Sequence, residues 1–225
     1  MNYRVFSTYY FTDWILTLTT LVSFVISIYH RRHKQLFLIQ IYIATSLLLD
    51  ILVSSTDPLI SNNKTWFEID CVSLNLYAIL EITLLSLFIC SAIVKRTIAH
   101  IVKTLCIIYI LFCFSIWIYF SKAITSNTPY LFALEGILIT TICLLYFYDL
   151  MHSLPKEGIR TKPDFWIASG ILFYFSTTGP YYLMIRNFDY ISTMNSFFTS
   201  VNYCLSTILF LAFIKAYLCP IRTQE

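Results

Sequence analysis

Residues 72–94 read VSLNLYAILEITLLSLFICSAIV, about twenty-three residues with one charged side chain, Glu81, near the middle. A helix rises ~1.5 Å per residue and the hydrocarbon core of a bilayer is ~30 Å thick, so this run is long enough to cross a membrane. The same rise puts Glu81 roughly 13 Å below the start of the run, close to mid-bilayer. A carboxylate at that depth is costly unless it is paired, protonated or wetted. The stretch therefore decides the class of protein and marks the first place to look for chemistry.

The rest of the chain follows the same rule. Of its 225 residues, 58% are hydrophobic, 18% aromatic and only 12% charged, with a mean hydropathy of +0.74. Soluble domains average ~25% charged, so a polar surface cannot cover this chain and its solvent must be lipid. Apolar runs recur at about 11–29, 35–55, 72–94, 104–120, 130–151, 163–185 and 194–214. They predict an all-α, polytopic membrane protein: a single seven-transmembrane helix bundle over residues 1–225. The first run precedes Arg31-Arg32-His33-Lys34, the reverse of a signal peptide's order, and is expected to be retained. The sixth begins at Pro163 with Asp164 behind it, which suits both the missing N–H and the helix dipole. Gly179-Pro180 should bend the same helix farther along.

Basic residues orient the bundle. Arg31, Arg32, Lys34, Lys95, Arg96, Lys103, Lys156, Arg160, Lys162, Lys215 and Arg222 fall on one side, and Arg4, Lys64, Lys122 and Arg186 on the other. By the positive-inside rule the N-terminus lies outside and the C-terminus in the cytoplasm. The net charge of +3 thus reflects topology, and no nucleic-acid footprint is visible. The longest segment between runs is residues 56–71, too short for a separate catalytic or DNA-binding domain. Five of the seven cysteines, Cys90, Cys106, Cys113, Cys143 and Cys204, sit inside apolar runs, Cys219 follows the last, and Cys71 has no partner in another outer loop. They read as small buried hydrophobes.

Polar residues within the spans gather in the outer half: Asp50, Asn75, Glu81, Glu135, Asn195, Asn202 and the hydroxyls around Thr177. Tyr77 precedes Glu81 by four and shares its face. Asn195, Thr199, Asn202 and Ser206 form one stripe, and Tyr42, Ser46 and Asp50 another. Facing one another, these residues would line a ligand pocket open to the outside. The competing reading is interhelical glue, worth only ~0.6 kcal/mol per hydrogen bond. Asp50 and Glu135 have the further option of pairing with Lys122 or Arg186 or reaching headgroups. No cofactor motif is present. His30, His33, His100 and His152, with Asp149 three residues before the last, are weak candidates for a divalent metal, because solvated histidines are common at span ends. Beyond them nothing points to an enzyme.

Seven spans also suit rhodopsins and G-protein-coupled receptors, but here the last span has only Lys215 at its inner end and Val94-Lys95-Arg96 is not an Asp-Arg-Tyr-like triplet. The paired histidines of alkaline-ceramidase-like hydrolases and the proline-glutamine motif of seven-helix sugar carriers have no counterpart. In Lys162-Pro163-Asp164-Phe165-Trp166-Ile167, the Gly170 to Tyr174 stretch and the acid of the third helix, the chain resembles small seven-helix membrane proteins of Bacteroidota. Similar units stand ahead of histidine-kinase modules in that group. The resemblance implies a sensory role in the bacterial inner membrane, with the bilayer as solvent and a histidine kinase or regulator as a separate cytoplasmic partner, because the chain ends just after its last helix. The expectation is a sensor or receptor-like protein. The alternatives are a small proton- or cation-coupled carrier and an accessory subunit of a membrane complex.

Overall fold

In lipid every backbone N–H and C=O must be satisfied within the chain, so apolar runs of this length fold as helices. In the computed structural model, which describes residues 3–29, 36–60, 64–119, 129–153, 158–188 and 192–219, each run becomes one. The helices are α1 (Tyr3–Tyr29), α2 (Phe37–Ile60), α3 (Lys64–Ala92), α4 (Arg96–Tyr119), α5 (Pro129–His152), α6 (Pro163–Phe188) and α7 (Ser192–Tyr217), and among the described residues there is no strand. Five of them, α1, α3, α4, α5 and α7, are long and apolar enough to cross a membrane, and α2 has a shorter apolar stretch, Phe37–Leu52. The predicted starts of α3 and α4 at residues 72 and 104 move back to Lys64 and Arg96. Hydropathy marks where a span leaves lipid, whereas backbone hydrogen bonding carries the helix on into the polar boundary.

Helices joined by about three residues must run antiparallel. Connections of that length separate α2 from α3, α3 from α4 and α6 from α7. Around the bundle α1 packs on α2 and α7, α2 on α3, and α6 on α5 and α7. α3 touches α2, α4, α5 and α6 and is the common wall, whereas α4, among the described residues, packs mainly against α3 and α5. The buried residues of α4, Ile98, Val102, Cys106, Tyr109, Cys113 and Trp117, recur every three or four positions as a single stripe.

The polarity of a soluble protein is inverted. Outward faces carry Trp14, Leu18, Ile107, Leu111 and Ile118, the last 82% exposed, while Thr20, Ser23, Ser27, Asn75, Ser86, Glu135, Asp149 and Thr178 are buried. An apolar surface of this extent requires lipid around it. The buried hydroxyls of Thr20, Ser27 and Thr178 donate to carbonyls three or four residues earlier in their own helices. That satisfies them without a cross-helix partner. Packing in lipid depends on close approach, and two glycines supply it. A Cβ on Gly136 would lie 2.8 Å from the Gly179 backbone where α5 crosses α6, and one on Gly170 would lie 2.7 Å from the Ala212 side chain where α6 crosses α7. α6 continues as a helix through Pro180.

The ends of the bundle are pinned by polar bonds between helices. Tyr217 donates from its hydroxyl to the Leu36 carbonyl at 3.1 Å, tying the end of α7 to the start of α2. Asp149, near the end of α5 and only 2% exposed, accepts the Val94 backbone N–H at 2.7 Å. Val94 lies in the corner between α3 and α4, so this carboxylate also sits beside the first turn of α4, where the helix dipole favours an anion.

Candidate functional site

The Val94–Asp149 bond fixes the register of α3 against α5. Glu81 stands thirteen residues before Val94 and Glu135 fourteen before Asp149, so both acids lie ~20 Å from that anchor at the same level of the bundle. The crossing of Gly136 on Gly179 brings α6 to this level as well. Nothing in the local sequence of either helix announces the match. It follows from two parallel helices pinned at one end.

Glu81 is half-buried and its Oε1 accepts the Tyr42 hydroxyl at 2.7 Å. Tyr42 is 2% exposed, its ring 6.4 Å from that of Tyr77 and packed edge-on against Phe213 of α7 at 5.8 Å. The donor is therefore held from three helices. Tyr77 interacts in turn with Ser46, Tyr42 and Glu81. Glu135, 2% exposed, lies in the electrostatic field of Glu81, and its Oε1 has no hydrogen-bond partner. Tyr109 feels both acids while its hydroxyl donates to the Leu131 carbonyl at 3.3 Å. Tyr174 and Tyr182 feel both as well, and Tyr174 also interacts with Ser206. Two carboxylates on α3 and α5 are thus surrounded by phenols from α2, α3, α4 and α6.

The other expected site residues fall around or outside this cluster. Asp50 is half-buried, its Oδ2 without a hydrogen-bond partner, and it interacts electrostatically with Asp13 of α1 and with Tyr174. Asn75 is buried on α3. Asn202 and Ser206 are half-buried on α7; Ser206 donates to the Asn202 carbonyl at 3.0 Å and the Asn202 Oδ1 has no partner. Thr199 interacts with Tyr181. Asn195 lies in the first turn of α7, its side chain outside those described. Thr177 is exposed and donates to the Phe173 carbonyl at 2.9 Å, while its neighbour Thr178 faces the interior. Lys122 lies outside the described residues, as does the side chain of Arg186.

His30 and His33 lie outside the described residues, His100 is exposed on α4, and His152 is exposed with its Nδ1 donating to the Tyr148 carbonyl at 2.8 Å. Asp149 is committed to Val94 through one oxygen. Among the described residues no group of three His, Cys, Asp or Glu side chains is placed to hold a metal. None of the seven cysteines is in a disulfide, and five of them are buried.

Tyr109, Tyr174, Tyr182 and Asp13 join the acids without having been singled out as pocket residues. For Tyr174 a signal existed, since Gly170, Tyr174 and Thr178 recur every four residues on the face that α6 buries. Comparison of the chain with family models, curated proteins and solved structures finds no match.

Proposed function

We propose that the chain is a seven-transmembrane sensor or receptor-like protein, with its N-terminus outside, its C-terminus in the cytoplasm, and a small ligand acting on the polar cluster around Glu81. The observation that supports this reading is the Tyr42–Glu81 hydrogen bond, a polar tie between α2 and α3 through a carboxylate that a ligand can claim. A ligand shifts a helix arrangement only by binding one arrangement better than the other. Competing with Tyr42 for Glu81 provides such a difference, and small helix movements of this kind transmit signals through bundles.

The output would leave from the far end, where Lys95, Arg96 and Lys103 cluster at the α3–α4 corner. A cytoplasmic histidine kinase or response regulator of the bacterial inner membrane is the partner this reading requires, in keeping with the resemblance to the Bacteroidota units. The test is capture of the tagged protein from its native membrane in mild detergent, followed by mass spectrometry. Stoichiometric recovery of a kinase or regulator is the expected result; recovery of a stable protein alone contradicts it.

A second reading is a proton- or cation-coupled carrier, which the buried, unpartnered oxygen of Glu135 favours. Under it Glu81→Gln abolishes an uptake that depends on pH, whereas under the sensor reading the same substitution alters signalling and no flux.

A further inference from the structure

Around the two acids three buried acceptor oxygens are left unmet. The hydroxyls of Thr45, Thr83, Thr178, Ser206 and Thr207 all donate to carbonyls of their own helices. Tyr42 gives its proton to Glu81 and Tyr109 gives its own to Leu131. Glu135 Oε1, Asp50 Oδ2 and Asn202 Oδ1 remain, each buried and each without a hydrogen-bond partner. Gly170 packs on Ala212, so nine residues along α6 and back along α7 bring the Gly179 level opposite Tyr203, next to Asn202. Unmet acceptors in an apolar interior cost more than unmade bonds at a surface, and adjacent carboxylates repel unless something positive stands by them. The cluster is completed by protonation of an acid or by a group that donates and carries positive charge.

We infer that the cluster of Glu81, Glu135 and the surrounding tyrosines binds a small primary ammonium compound. An R–NH3+ group brings three donors and no acceptor, with one positive charge for the two carboxylates. A divalent metal fits poorly, since no three strong ligands converge among the described residues. The phenol rings of Tyr42 and Tyr77 stand beside Glu81, and such rings attract a desolvated cation. This inference rests on the sensor reading for what binding achieves and on the buried acceptors for the ligand's chemistry.

The test is thermal unfolding of the purified full-length protein in mild detergent, followed by intrinsic fluorescence at constant ionic strength, with methylammonium, tetramethylammonium or sodium chloride. Methylammonium should raise Tm saturably. Tetramethylammonium, which has the charge but no N–H, and sodium should not. Glu135→Gln keeps the volume and removes a buried charge, and it should weaken the methylammonium effect at least tenfold. No saturable rise with methylammonium overturns the inference, as does an equal rise with sodium or an unchanged effect in Glu135→Gln. If Glu135→Gln does not fold, Glu81→Gln and the wild-type selectivity order decide in the same way. The assay contains no kinase, so failure to capture a partner and failure to bind an ammonium probe are read separately.

Discussion

The Tyr42 hydroxyl donates a 2.7 Å hydrogen bond to Oε1 of Glu81, joining α2 to α3 across thirty-nine residues of chain. Hydrogen bonds between membrane helices contribute ~0.6 kcal/mol on average and up to about 1.7, and in a chain of this size each kcal/mol moves Tm by about 2–4 °C. Tyr42→Phe should therefore lower Tm by about 1–6 °C, and the Tyr42→Phe/Glu81→Gln double variant should lose less than the sum of the single losses. A wild-type Tm for Tyr42→Phe, or strict additivity, would mean that the bond contributes nothing.

The α5–α6 crossing predicts an asymmetry between two glycines in contact. A Cβ at Gly136 meets the Gly179 backbone at 2.8 Å, but a Cβ at Gly179 meets only ordinary contacts at 3.5 Å or more. Gly136→Ala should cost about 1–3 kcal/mol through a forced helix shift. Gly179→Ala should be tolerated within about 0.5 kcal/mol, as should Gly158→Ala, which meets nothing within 4 Å. Denaturation midpoints of the three variants measure this directly; equal losses at Gly136 and Gly179 would contradict the close approach.

At the opposite end Asp149 holds the α3–α4 corner through Val94. Asp149→Ala strands that N–H and should cost about 1–3 kcal/mol. Asp149→Asn, which still offers a carbonyl oxygen, should lose less. Limited proteolysis at Lys95 and Arg96 is the readout: cleavage should be fastest in the alanine variant, and identical rates in the two variants would count against the bond.

Much of this architecture is written in the hydropathy of the chain. Seven apolar runs become seven helices, and the acid at the centre of the Val72 to Val94 run does sit in a polar cluster. Periodicity within one helix also carried far: Tyr77 and Glu81 share a face, and Tyr42 lies on a stripe with Ser46 and Asp50 that approaches Tyr77. What a single helix cannot reveal is its register against another. That Glu135 lies level with Glu81 depends on the Val94–Asp149 anchor, which pairs residues fifty-five positions apart. Orientation was ambiguous at the scale of one residue, so that Thr177 faces out where Thr178 faces in. Helix ends were the least legible, because α3 and α4 begin in polar sequence that hydropathy assigns to loops.

The proposal that a ligand acts from outside and the signal leaves inside is tested most directly by the side on which the C-terminus lies. Paired C-terminal fusions after Cys219, one to a green fluorescent protein that matures only in the cytoplasm and one to an alkaline phosphatase active only outside it, read that side without purification. With the C-terminus inside, the first fusion is fluorescent and the second inactive, with the reverse pattern when the same reporters follow residue 188. A dark first fusion with an active phosphatase would put the basic corners outside and the acid cluster toward the cytoplasm, and the proposed direction of signalling would be wrong.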